Sequence, residues 1–225
     1  LVSLAAGRTV RVFPVAQGCV AMASGGCAQL FFAGLADGRL LRMHFAGQTE
    51  ELRGCGPAVT ALVGPPGCSA VVAAWADGAL RVFDEEGPVR VTAQRELPCA
   101  VVRLTAASEG DVFYAACNDG TVVKLRARDL ALLRVVERGS SVASLWLSLD
   151  QQRLYVLRRG SLCALDLLSD TREEWFLALG LTAPTTFTLD RFERTAAVAN
   201  AAGDLCLWPL MGGAAPMTFE LHAAA

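Results

Sequence analysis

The sequence predicts an all-β protein built from a four-stranded antiparallel unit that recurs about every forty residues, and three observations carry that expectation. The first is a phrase in which two apolar runs meet at an Asp-Gly pair, most fully in Ala73-Ala74-Trp75-Ala76-Asp77-Gly78-Ala79-Leu80-Arg81-Val82-Phe83-Asp84. Asp-Gly between apolar runs signals a tight hairpin, because the turn needs backbone angles that Gly adopts cheaply and Asp tolerates. The second is its return at residues 33–42 and 115–124, and more faintly at Arg159-Gly160 and Ala202-Gly203. The third is the spacing: the turn glycines fall at 38, 78, 120, 160 and 203, with gaps of 40, 42, 40 and 43. Such a period is that of a propeller blade. The expected architecture is a β-propeller with five complete blades and a partial sixth, one domain over residues 1–225, consistent with part of a six- or seven-bladed ring.

The elements follow in order. Residues 1–4 and 9–13 flank Ala5-Ala6-Gly7-Arg8 and read as the inner hairpin of a blade whose first strand lies upstream. A chain that starts at Leu1 inside a repeat is expected to be a fragment or to lack its ends. Counting back about 17 residues from each turn finds a short apolar first strand at 20–22, 59–62, 101–104, 142–147 and 185–189. The second strands, 30–33, 70–75, 112–116, 154–157 and 196–199, are the most apolar. A strand apolar on both faces has to be covered on both, as in a blade between two neighbours. Third strands are expected at 40–45, 80–83, 122–125, 162–167 and 205–208. More charged fourth strands follow at 49–53, 89–92, 132–137, 172–176 and 218–221, where charge discourages pairing at an exposed edge.

These phrases resemble the WD40 repeat, whose blades end in Asp-Gly-Thr-Val-Arg-Val-Trp-Asp after an apolar strand. The resemblance runs through Asp77-Gly78 to Phe83-Asp84, Asp119-Gly120-Thr121-Val122-Val123-Lys124-Leu125, Leu165-Asp166 and Leu207-Trp208. It implies a β-propeller fold. The repeats are degenerate: no Gly-His pair occurs, the second-strand Ser position carries Leu35, Trp75 or Cys117, and the third-strand Trp survives only as Trp208. Asp37, Asp77 and Asp119 keep the turn, so apolar packing is expected to hold the blades.

Composition narrows the function. A net charge of −2 and a pI near 5.7 give no global attraction to nucleic acid or anionic membranes. The mean hydropathy of +0.40 is high, yet no apolar run approaches the roughly 20 residues that span a bilayer, and no membrane insertion is expected. Eight cysteines are scattered without a C-x-x-C pair and only His44 and His222 accompany them, so neither zinc nor any cofactor is expected. Unpaired cysteines inside apolar runs suit a reducing compartment, whether cytoplasm, nucleus or organelle matrix.

No phosphate loop, G-x-S-x-G elbow or H-E-x-x-H motif occurs. Asp84-Glu85-Glu86, Glu50-Glu51 and Glu173-Glu174 read as solvated turns or edges, because neighbouring carboxylates on a strand point apart. First strands such as Val20-Ala21-Met22-Ala23 and Val59-Thr60-Ala61-Leu62 carry few titratable groups, which speaks against an enzyme with a central-channel site. The expected function is a non-catalytic scaffold for other protein subunits within a larger multiprotein or ribonucleoprotein assembly. Arg53, Arg95 and Arg138 precede successive first strands and are expected in equivalent loops on one rim, as a basic arc for RNA or an acidic or phosphorylated peptide. Arg158 and Arg159 at a hairpin tip, and Trp175 on an outer strand, are further candidate contacts.

Overall fold

The computed structural model describes residues 2–3, 8–9, 18–25, 30–53, 56–64, 69–85, 87–88, 90–108, 110–176, 181, 183–211 and 215–220. The expectations for His222, Cys27, Cys55, Cys68 and residues 10–13 lie outside that set, as does the side chain of Arg53. Every regular element among the described residues is a strand, and none is a helix long and apolar enough to cross a membrane.

A short pair, β1 (Val2–Ser3) and β2 (Arg8–Thr9), forms a two-stranded sheet. Five four-stranded sheets follow. Blade one is β3 (Cys19–Ser24), β4 (Leu30–Leu35), β5 (Leu40–His44) and β6 (Thr49–Arg53). Blade two is β7 (Val59–Val63), β8 (Ala70–Trp75), β9 (Ala79–Asp84) and β10 (Val91–Glu96). Blade three is β11 (Val101–Ala106), β12 (Val112–Cys117), β13 (Val122–Arg126) and β14 (Leu132–Glu137). Blade four is β15 (Val142–Leu147), β16 (Arg153–Arg158), β17 (Ser161–Asp166) and β18 (Arg172–Phe176). Blade five is β19 (Pro184–Leu189), β20 (Thr195–Asn200), β21 (Asp204–Pro209) and β22 (Met217–Glu220). Within each blade the strands pair antiparallel in chain order. One expectation needs correction: the fourth strand of blade two is Val91–Glu96 and not 89–92, so Arg95 lies in a strand.

The first strands β3, β7, β11, β15 and β19 touch in succession, and this row stacks the sheets. Packing follows from the doubly apolar second strands. On β8, Val72 and Ala74 join the core shared with Phe113, Ala115 and Leu125 of blade three. The alternate residues Val71, Ala73 and Trp75 face the other way, into the core with Leu30, Phe32 and Leu40 of blade one. The same alternation gives one apolar core between blades three and four and another between four and five. Burial of fully enclosed side chains at about 25 cal/mol per Å² drives this stacking.

Polar pins cross the same interfaces. The buried Trp75 Nε1–H donates to the carbonyl of Gly38 in blade one at 3.1 Å. Arg42, 5% exposed, donates to the Glu85 and Gly87 carbonyls of blade two at 2.8 and 2.9 Å and pairs with Glu50. Glu85 is therefore buried, contrary to a solvated turn. Between blades four and five, the Tyr155 hydroxyl donates to Glu193 at 2.7 Å. Its pKa is pushed up to about 12, first by burial and then by that carboxylate.

Candidate functional site

The hairpins between second and third strands define one rim. In the first, Gly38 N–H donates to Leu35 O at 3.1 Å and Leu35 N–H to Arg39 O at 2.9 Å, enclosing a three-residue loop whose Gly38 sits at φ 87°. Gly78 and Gly120 repeat it at 89° and 87°. This is the longer hairpin loop with Gly in the left-handed position, and not the two-residue turn that Asp-Gly also signals. Asp37, Asp77 and Asp119 each accept the backbone N–H two residues on, at 3.2, 3.0 and 2.9 Å. The turn of blade four departs from the series. Leu157 pairs with Leu162, leaving a two-residue turn at Arg159-Gly160, and Gly160 lies outside the left-handed region.

Each of these turns rests on the loop that enters the first strand of its own blade. Ala36, Ala76 and Asn118 donate their N–H to Gly18, Ala58 and Ala100 at 3.0, 2.9 and 2.9 Å. The glycines face outgoing backbone at very short range: a Cβ on Gly78 would stand 2.4 Å from Leu97 O, and one on Gly120 2.0 Å from Gly139 O. The rim is thus a fixed lattice of backbone from which side chains project.

Register shows where the expected arc stands. Arg53 pairs opposite Leu40 and Arg95 opposite Leu80, which are equivalent positions on adjacent outer strands. In blade three that position is Glu137, opposite Val122, and Arg138 follows one residue later. Arg53 and Arg95 are therefore strand residues, and the loop expectation holds for Arg138 alone, which is exposed. Arg95 is half-buried and donates to Leu130 O of blade three at 3.2 Å.

The remaining candidates separate. Arg158 is the last residue of β16 and is 4% exposed, so it is no surface contact. It pairs with Glu137 of blade three at 2.6 Å and donates to Ser140 O, while Arg172 holds the other oxygen of Glu137 at 2.9 Å. A buried carboxylate requires such partners. Arg159 is exposed at the turn tip. Trp175 is half-buried against the blade four and five core and is not free on the outer edge. His44 is half-buried in the β5–β6 hairpin.

Arg95 and Arg138 both line a pocket of about 350 Å³ between blades two and three. Glu96 and Asp119 also line it, so the charge is mixed. Leu132 and Val135 of β14 give it an apolar wall, and both are exposed together with Leu133. Cys99, Cys117 and the exposed Asp119 also line it, one donor atom of each lying within 4.8 Å of the others. Burial raises the pKa of Cys99 and raises that of Cys117 strongly, helped by the Cys99 sulfur and the Asp119 charge. Asp119 is lowered, foremost by the Thr121 N–H, with further help from the Thr121 hydroxyl and Cys99 thiol. This cluster was hidden in the sequence because Cys99 and Cys117 are 18 residues apart and share no motif. The signal available was the repeat itself, which sets every residue before a first strand beside the end of its second strand.

Sheets, stacking and rim define a class of protein, the β-propeller. The chain is similar to the Myceliophteria thermophila Cps50 (Swd1) beta-propeller domain, with a TM-score of 0.72 at 12% identity over 92% of this chain and 70% of that one. In all, 1573 solved chains match, a breadth that marks an architecture and not a task. No protein-family model matches the chain, and no curated protein does.

Proposed function

We propose that this chain is a non-catalytic, degenerate WD40-type scaffold that docks protein subunits along the outer edge of blade three and the pocket beside it. The observation that carries the reading is β14. Its sequence reads as a charged edge, yet Leu132, Leu133 and Val135, on either side of Arg134, are 42%, 41% and 37% exposed. Charge commonly guards an outer strand against pairing, and exposed apolar side chains there mark an interaction surface; β22 also exposes Met217 and Phe219, but Leu132 and Val135 of β14 adjoin a pocket. The turn aspartates support the WD40 assignment, and stacked sheets present the edge rigidly, so binding forfeits little conformational entropy. Buried, unpaired Cys117, Cys163 and Cys206 fit a reducing compartment.

The test is affinity purification of the full chain under reducing conditions at low and then high salt, beside a Leu133→Glu variant and an Arg95→Ala/Arg138→Ala variant, each checked for an unchanged melting temperature. Protein partners that withstand high salt and are lost with Leu133→Glu are expected. RNA or acidic partners released by salt and lost with the arginine variant would replace this reading with nucleic-acid or acidic-peptide binding. A solitary chain at low salt would end the scaffold reading.

A further inference from the structure

We propose that Cys99, Cys117 and Asp119 form a binding site for a thiophilic divalent cation, zinc(II) being the ion that the donor set fits. This goes beyond subunit docking and does not depend on it.

The geometry carries it. Three donors already lie within 4.8 Å of one another. A tetrahedral zinc with bonds of about 2.3 Å to sulfur sets two sulfurs about 3.8 Å apart, so closing the site takes roughly 1 Å of movement. The backbone that holds the donors is fixed. Cys117 N–H donates to Thr121 O at 2.8 Å, and Asn118 N–H donates to Ala100 O at 2.9 Å, locking the turn to the loop that bears Cys99. Asp119 is oriented twice by Thr121, from its N–H at 2.9 Å and its hydroxyl at 3.1 Å. Such outer partners are what aim a metal-bound carboxylate.

The donor chemistry selects the ion. Two sulfurs favour zinc over magnesium or calcium, which take oxygen cages. Binding breaks two S–H bonds, forms two Zn–S bonds and one Zn–O bond, and releases two protons to solvent. The resulting centre carries one net negative charge, and Arg95 and Arg138 line the same pocket. A fourth position opens on that pocket, where water or a partner's side chain completes the tetrahedron.

The test uses the reduced chain, residues 1–225, and cobalt(II) as the spectroscopic probe, with zinc as competitor. One equivalent of cobalt should give thiolate-to-metal charge-transfer absorption that zinc abolishes. Affinity should fall at least about 100-fold in Cys99→Ser and about 10-fold in Asp119→Asn, the latter retaining an oxygen for the turn. Cys19→Ser, an exposed thiol on β3, should bind as the parent does. The proposal is overturned by absorption that both variants retain, by its absence from the parent chain, or by a Cys99–Cys117 disulfide in place of metal binding.

Discussion

Gly120 shows how a single residue fixes the rim. Its φ of 87° is left-handed, and any Cβ there would stand 2.0 Å from Gly139 O and 2.6 Å from Ser140 O. Backbone has no flexible end to swing aside, so strain and collision add. Gly87 shares the left-handed angle at 77° but meets nothing within 4 Å. Gly87→Ala should therefore cost about 1–2 kcal/mol from the angle alone, and Gly120→Ala distinctly more. Denaturant unfolding of both variants measures it; equal costs would mean that the loop before β15 moves freely. The sequence marked Gly120 correctly as a turn glycine, since Asp-Gly between apolar runs is a local signal. It could not mark Arg158 as buried, because its partner Glu137 comes from the neighbouring blade.

The hairpin is the element in which side chain and backbone cooperate most consistently, and its aspartates set a dependence on acid. Thr121 N–H on Asp119, Ala131 N–H on Asp129, Ser169 N–H on Asp166 and Thr195 N–H on Asp190 each hold a carboxylate below its ordinary range. A lowered folded pKa means stability that is present above the unfolded value near 3.8 and lost as pH falls through the lower folded values. The melting temperature should hold between about pH 5 and 7 and fall below about pH 4, a profile that calorimetry across this range checks. A flat profile down to pH 2 would show that the turns do not depend on these carboxylates. Strand positions were legible because each second strand is apolar on both faces. The one displaced strand, β10, was misplaced because Val89 and Val91 look alike in sequence, and a register shift between Val91 and Ala93 moves the pairing onward. The Cys99–Cys117–Asp119 cluster was illegible at this scale, since its proximity comes from a loop lying on a turn.

For the molecule as a whole, each blade is stabilised chiefly by its neighbours, as in other stacked repeats. Blade four has both faces occupied, and β16 is buried almost throughout. In blade five, Ala197, Ala199, Leu205 and Leu207 are only half-buried. Local opening should therefore start there, and hydrogen exchange should find amides of β20 and β21 less protected than those of β16 and β17. Uniform protection would mean that all five sheets open as one unit. The placement of the indoles makes such unevenness visible by light. Trp75 is sealed between blades one and two, whereas Trp146, Trp175 and Trp208 gather around the packing of blades four and five. The protein thus carries chromophores at separated stations along its arc. Replacing the three later ones with Phe would leave a lone emitter whose red shift times the parting of blades one and two, independently of events at the far end.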